Sequence, residues 1–133
     1  MIRKYNNGDL RTIKLLVKKW YWPFFTNDHY AKFTAVENDQ IVGVAVISIT
    51  INTANIDFIY VKKDFRSSGI GKKLLERCQA YARSKKAEGV GVNCGQENKN
   101  AKKFYKKEGF QKVGQVYNYF SNNNLQIFFW KRL

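Results

Sequence analysis

Residues 60–75 read YVKKDFRSSGIGKKLL, and this stretch decides the architecture. The residues leading into it, Ile56 to Val61, are β-branched and aromatic and read as a strand. After Gly69 the apolar positions change period: Ile70, Leu74, Leu75, Cys78 and Ala82 recur at helical spacing to about Lys86. A strand therefore runs into a loop, Arg66-x-x-Gly69-x-Gly71, and the loop opens an amphipathic helix. Glycines lack a Cβ and let main-chain N–H groups come close to a ligand. Those groups sit at a helix N-terminus, where free donors and the positive end of the dipole favour a phosphate. Arg66, Lys72 and Lys73 add formal positive charge at the same place. The chemistry expected is a phosphate or pyrophosphate site, against the plain alternative of a helix-capping turn. The Walker spacing GxxxxGK[ST] is absent. A dinucleotide loop needs a third glycine where Leu74 stands.

Upstream, Asp9 is placed to cap a helix with apolar face Leu10, Ile13, Leu16 or Val17, and Trp20, which Pro23 stops or turns. Phe33 to Glu37 reads as a strand, Asn38-Asp39 as a turn and Ile41 to Ile51 as a long strand, together a hairpin. Asn52 to Asn55 reads as a further turn. Downstream, Glu88-Gly89 ends the central helix and Val90 to Val92 forms a short buried strand. Asn98 or Asn100 caps a second helix with Ala101, Phe104 and Tyr105 on one face, and Gly109 ends it. Phe110 to Phe120 and Leu125 to Trp130 are strands separated by Ser121 to Asn124. The expected fold class is α/β (α+β mixed): a central mixed sheet of about six to seven strands, antiparallel early and parallel around the central helix.

The 133 residues fit a single domain, 1–133, with a core that needs no disulfide. No apolar run long enough to span a membrane appears, and no secretory signal is visible at the N-terminus. Cys78 and Cys94 lack the spacing of a zinc site. Reduced thiols and a cytoplasmic location are expected, with no metal and no membrane partner. The net charge of +14 draws anions: nucleic acid, an acidic surface or a phosphorylated small molecule. The lysines, however, are spread along helix faces rather than gathered in one arm, and no nucleic-acid-binding motif is evident. A basic nucleic-acid-binding module is therefore the lesser alternative.

Arg66-Ser67-Ser68-Gly69-Ile70-Gly71 after a strand resembles the first signature of the GNAT (GCN5-related) N-acetyltransferases, Arg or Gln-x-x-Gly-x-Gly or Ala. Asn98-x-x-Ala101-x-x-Phe104-Tyr105-x-x-x-Gly109-Phe110 resembles the second, one helix and one short strand away. The likeness covers roughly Phe33 to Trp130. It implies an acetyl-CoA-dependent N-acetyltransferase moving an acetyl group to a primary amine, small or protein-borne, by direct attack on the thioester. It also implies that Ile59, Tyr60 and Val61 offer main-chain groups to pantetheine. Arg66, Ser67, Ser68, Gly69, Ile70, Gly71 and Lys72 would wrap the pyrophosphate. Asn98 would hydrogen-bond the pantetheine, and Ala101 and Phe104 would wall the other side.

By the same resemblance Tyr105 is the proton donor to the departing thiolate; on helical spacing alone it would be a core aromatic. Asp57 is the only acidic residue on the strand before the loop and the candidate base, the alternative being a carboxylate that faces solvent. Asn93 stands where relatives that acetylate protein N-termini often carry glutamate, and Glu97 reads as a solvated loop charge. His29 reads as a surface residue. Trp20, Tyr21, Trp22, Phe24 and Phe25 lie where the family builds its acceptor pocket, or else cover the sheet as core. A catalytically silent acetyl-CoA-binding member of the family is the other alternative. A homodimer, built through the last two strands, stays open.

Overall fold

A computed structural model describes residues 1–133. One seven-stranded sheet carries the chain in the order β1-β2-β3-β4-β5-β7-β6. Its strands are β1 (Ile2–Lys4), β2 (Ala31–Glu37), β3 (Gln40–Thr50), β4 (Thr53–Val61), β5 (Gly89–Gly95), β6 (Gln111–Tyr117) and β7 (Leu125–Arg132). The helices are α1 (Leu10–Leu16), α2 (Ile70–Ser84) and α3 (Lys99–Lys107). All neighbours are antiparallel except β4 and β5, which run parallel on either side of the α2 crossover. The mixed sheet is as expected. No helix is long and apolar enough to cross a membrane.

Two apolar layers cover the sheet. The larger joins α2, through Ile70, Leu74, Leu75, Cys78 and Ala82, to Ala45, Ile47, Ala54, Ile56, Val90 and Phe129. The smaller joins Ile13, Val17 and Phe25 to Val44 and Val46 on the opposite face. β3 is buried on both faces from Val42 to Ser48, which is why it reads as a near-continuous run of Val, Ala and Ile broken only by Gly43 and Ser48.

The departures from expectation lie mostly at element ends. Three short residues, Ile2–Lys4, form an edge strand too brief to show a period. Asp9 does not cap α1. Its carboxylate accepts two hydrogen bonds from Arg3, both 2.8 Å, and one from the Asn6 N–H at 2.9 Å. Asn6 and Asp9 thus form a capping box around a 3-10 turn, Asn7–Asp9, that precedes the helix. α1 stops at Leu16 because Val17 is extended, and Pro23 lies within a 3-10 segment, Lys19–Phe25, instead of ending the helix.

The turn after β3 is only Ile51-Asn52, so Thr53 to Asn55 are strand residues. They are the ones that pair with β5, at Thr53↔Gly89, Ala54↔Val90 and Asn55↔Gly91. β5 is longer than expected and β6 shorter, ending at Tyr117.

Asn38 and Asp39 both adopt positive φ, 50° and 62°, the geometry of a two-residue hairpin turn that asparagine and aspartate tolerate.

Arg3–Asp9 is the one ion pair between side chains, and Asp9 is 6% exposed. Its carboxyl is held below the ordinary aspartate value, first by the Arg3 hydrogen bonds, against the opposing effect of burial. A carboxylate whose value is lowered on folding stabilises above its unfolded value and loses that contribution as pH falls through the folded one. Asp9→Asn is therefore expected to destabilise the fold by about 1–2 kcal/mol at pH 7, Arg3 being partly solvated. Urea unfolding at falling pH should show the gap to the native protein closing below about pH 4.

Candidate functional site

The site is created where β4 and β5 part. Their pairing ends at Asn55↔Gly91, and at the next position but one β4 carries a bulge: Val46 pairs with Phe58 and Ile47 with Ile56, leaving Asp57 without an opposite residue. An extra residue reverses the alternation of a strand. Before it, Ala54 and Ile56 enter the α2-side core; after it, Ile59 and Val61 do, while Phe58 and Tyr60 face the layer built by the 3-10 segment after α1. From Ile56 onward the β5-side edge of β4 is unpaired, and a cavity of about 1150 Å³ occupies the gap.

Ile59, Tyr60, Val61, Arg66, Ser67, Gly69, Gly71, Lys72, Asn98, Ala101, Phe104, Tyr105 and Asp57 all line that cavity. Ser68 and Ile70 do not. The Ser68 hydroxyl donates to the Phe65 carbonyl, and the Ile70 side chain is core. What Ile70 offers is main chain: α2 starts with no side-chain cap, so its first N–H groups have no partner within the helix.

Gly69 has φ +87°, which only glycine adopts readily. Gly71 is different. A Cβ there would meet Phe104 and Val61 at 3.7–3.8 Å, ordinary contact, so packing does not require glycine at this point.

Arg66 donates from Nε to the Val61 carbonyl at 2.7 Å, and its guanidinium lies 5.6 Å from the Tyr60 ring. It therefore ties the glycine loop back to β4 and uses the Val61 carbonyl in doing so. Asn98 caps α3, its Oδ1 accepting from the Ala101 N–H at 3.1 Å. Its side-chain amide N–H groups remain available to the cavity.

Tyr105 is buried among Phe104, Phe110 and Phe129, with ring centroids 5.4–5.9 Å away. Burial, and then the neighbouring Cys94 and Cys78, push its phenol well above the ordinary tyrosine value, so it stays protonated at neutral pH. Burial likewise pushes the Cys78 thiol up to about 12 and raises Cys94.

Asp57 does not face solvent as a strand-start carboxylate would. Oδ1 accepts from the Asn55 side-chain amide at 2.9 Å, and Oδ2 is buried with no hydrogen-bond partner. Burial raises its pKa, opposed by nearby Ser48, Asn55 and the charge of His29. His29 is exposed and packs edge-on against Tyr30 at 5.1 Å. Asn93 lines the cavity with its Oδ1 held by the Gln126 amide at 2.7 Å. Glu97 is exposed and accepts from Asn124 at 2.6 Å, tying the β6–β7 connection to the start of α3.

Of the early aromatics, Trp20, Tyr21 and Phe24 line the cavity, Phe25 is core and Trp22 packs against the smaller core. Sequence reasoning missed Asn100, Lys103 and Lys107, although their three- and four-residue spacing marks one face of α3. It also missed Phe58 and Phe120. The bulge hides the first, and nothing local to the sequence marks the second. No three His, Cys, Asp or Glu side chains cluster as metal ligands would.

The sequence profile of the acetyltransferase (GNAT) family matches residues 4–110. The chain belongs to that family. It is 41% identical over 101 residues to an uncharacterised N-acetyltransferase of Methanocaldococcus jannaschii, covering 70% of this chain and 45% of that one. It is 24% identical over 106 residues to N-alpha-acetyltransferase 30 of Schizosaccharomyces pombe, covering 76% and 67%. The chain thus spans two thirds or less of the length of these curated relatives. Among solved structures, a GNAT family acetyltransferase from Elizabethkingia anophelis with acetyl-CoA bound superposes with a TM-score of 0.86 at 21% identity, covering 100% of this chain and 97% of that one. That likeness shows the fold. The uncapped α2 terminus, the room at Gly71 and the cations Arg66, Lys72, Lys103 and Lys107 are a donor set that fits a phosphorylated coenzyme.

The Asp57 geometry carries a stability consequence. A carboxylate raised by burial destabilises the fold above its unfolded value, and the penalty disappears when it is protonated. Asp57→Asn, which keeps an acceptor for Asn55, is expected to raise the thermal midpoint at pH 7 by a degree or more. The gain should shrink as pH falls toward the ordinary aspartate range, because the native carboxyl, raised by burial, protonates before an exposed one does. A calorimetric pH series on both proteins checks it.

Proposed function

We propose that this chain transfers the acetyl group of acetyl-CoA to a primary amine by direct attack of the amine on the thioester. The supporting observation is the parting of β4 from β5 beside an uncapped, glycine-opened helix. The gap gives an extended arm an unpaired strand edge to lie along, and the helix terminus gives its pyrophosphate free donors and positive charge. Arg66, Lys72, Lys103 and Lys107 supply further charge for a polyanionic coenzyme. Two buried, unpaired thiols support a reducing, cytoplasmic setting.

In this reading the amine nitrogen forms a bond to the carbonyl carbon as the carbon–sulfur bond breaks. The nitrogen, arriving as an ammonium, loses one proton before attack and a second as the amide forms, which replaces the proton given to sulfur. Tyr105, kept protonated by its burial, supplies the proton to sulfur. Asp57 accepts a proton from the incoming ammonium, a role its raised pKa suits better than an ordinary carboxylate.

Two measurements test this. Acetyl-CoA at about 100 times its dissociation constant should stabilise the protein by about 2.7 kcal/mol, several degrees in thermal midpoint, with no comparable shift from ATP or NAD. Gly71→Ala should stabilise the ligand-free protein by about 0.5–1 kcal/mol, as alanine does within a helix, yet shrink the acetyl-CoA shift. Equal shifts with every polyanion would argue against the proposal. Tyr105→Phe keeps the aromatic packing, so it should lower kcat by about 10²–10⁴ while leaving the acetyl-CoA shift in place. Unchanged turnover would remove Tyr105 from the chemistry.

A further inference from the structure

The half of the cavity that the coenzyme motifs do not account for is aromatic. The bulge at Asp57 turns Phe58 and Tyr60 toward the 3-10 segment after α1, their rings nearly parallel with centroids 6.4 Å apart. Tyr21 stacks on Phe58 at 4.0 Å and 22°. Phe24 lies 6.4 Å from Tyr21 and is braced edge-on by Tyr30 at 4.8 Å.

Two further aromatics come from separate elements: Trp20 from the 3-10 segment, 67% exposed, and Phe120 from the β6–β7 connection, 57% exposed. Both line the same cavity although most of each ring is in water. Exposed apolar surface rimming a cavity marks a place where a ligand removes it from water.

Asp57 is the one acidic residue on this side, and its buried Oδ2 has no hydrogen-bond partner. With only Asn55 bonded to it at hydrogen-bonding distance and Ser48 close by, this carboxylate keeps capacity to accept from a ligand's donor.

We infer that the acceptor is an arylalkylamine: a monocationic primary amine carried on a flat aromatic body. Its ammonium is held at Asp57, and its ring is received by Tyr21, Phe24 and Phe58 with Trp20 and Phe120 closing over it. The inference rests on the acetyl-transfer reading and adds the substrate class. An ammonium over aromatic faces and beside a carboxylate is favoured by both. A flat ring gains stacking that a linear chain does not. A polycation is disfavoured, because Arg66, Lys72, Lys103 and Lys107 line the same cavity and the whole chain carries +14. The transfer balances as R–NH₃⁺ plus acetyl-CoA giving the acetamide, CoA thiol and one proton released to solvent.

The test follows CoA thiol release from acetyl-CoA with 2-phenylethylamine and tryptamine against octylamine, spermidine, and a neutral peptide with a free N-terminal phenylalanine. The arylalkylamines should exceed each of the others at least tenfold in kcat/KM. Trp20→Ala and Phe58→Leu should each cut that preference to threefold or less while the thermal shift with acetyl-CoA stays that of the native protein. Trp20 is exposed enough that its removal leaves the core intact, so a folded variant is assured for the comparison.

Equal or better use of octylamine or spermidine overturns the inference, as does a preference for the peptide. A normal acetyl-CoA shift with no amine consumed overturns it too, while the coenzyme reading stands. Loss of the acetyl-CoA shift itself overturns both.

Discussion

Everything distinctive in this molecule depends on β4 and β5 staying together for three residues and then separating. Before the separation the sheet is continuous and its backbone groups are satisfied by neighbouring strands. After it, the β5-side edge of β4 is open along Ile56 to Val61 while β5 remains anchored by β7 on its other side. An open strand edge in the middle of a sheet is costly unless something pairs with it. The fold tolerates it because α2 and α3 wall the gap from one side and the aromatic segment after α1 from the other. The ligand cavity is thus the direct product of an interrupted hydrogen-bond ladder.

Much of this was legible in the sequence where residue type and period act locally. The switch from a β-branched run to a 3.6-residue period at Gly69 gave α2 and its loop to within one or two residues. Arg66, Gly71, Asn98 and Tyr105, which two short motifs single out, stand on the wall of one cavity. Illegible were the features set by tertiary pairing. Thr53 to Asn55 look like a turn because threonine and asparagine favour one, yet pairing with β3 and β5 makes them strand. Asp9 looked like a helix cap because its type and position fit, but the salt link to Arg3 on the three-residue strand β1 claimed the carboxylate. Phe120 enters the site only because the β6–β7 connection folds back toward α3, where Asn124 meets Glu97.

The charge distribution also has a simple cause. One ion pair joins side chains, so every other lysine and arginine lacks a carboxylate within 4.0 Å. Such a surface carries a positive potential over several ångströms and raises the local concentration of a polyanionic coenzyme. Its effect is screened as ionic strength rises. The aromatic half of the cavity stands against this background: Asp57, enclosed and only partly hydrogen-bonded, is the local exception to a positive field.

The bulge at Asp57 gives β4 two frames, one on each side of a single residue. Upstream, even-numbered positions belong to the core under α2; downstream, odd-numbered positions do. Substitutions along the strand change one contact each. Removing Asp57 itself would let Phe58 follow Ile56 in plain alternation and leave Phe58, Tyr60, Ile59 and Val61 on the faces they occupy now, at the cost of its carboxylate. The extra residue thus costs the strand nothing in its packing and serves to set one carboxylate outside the ladder, on the wall of the cavity.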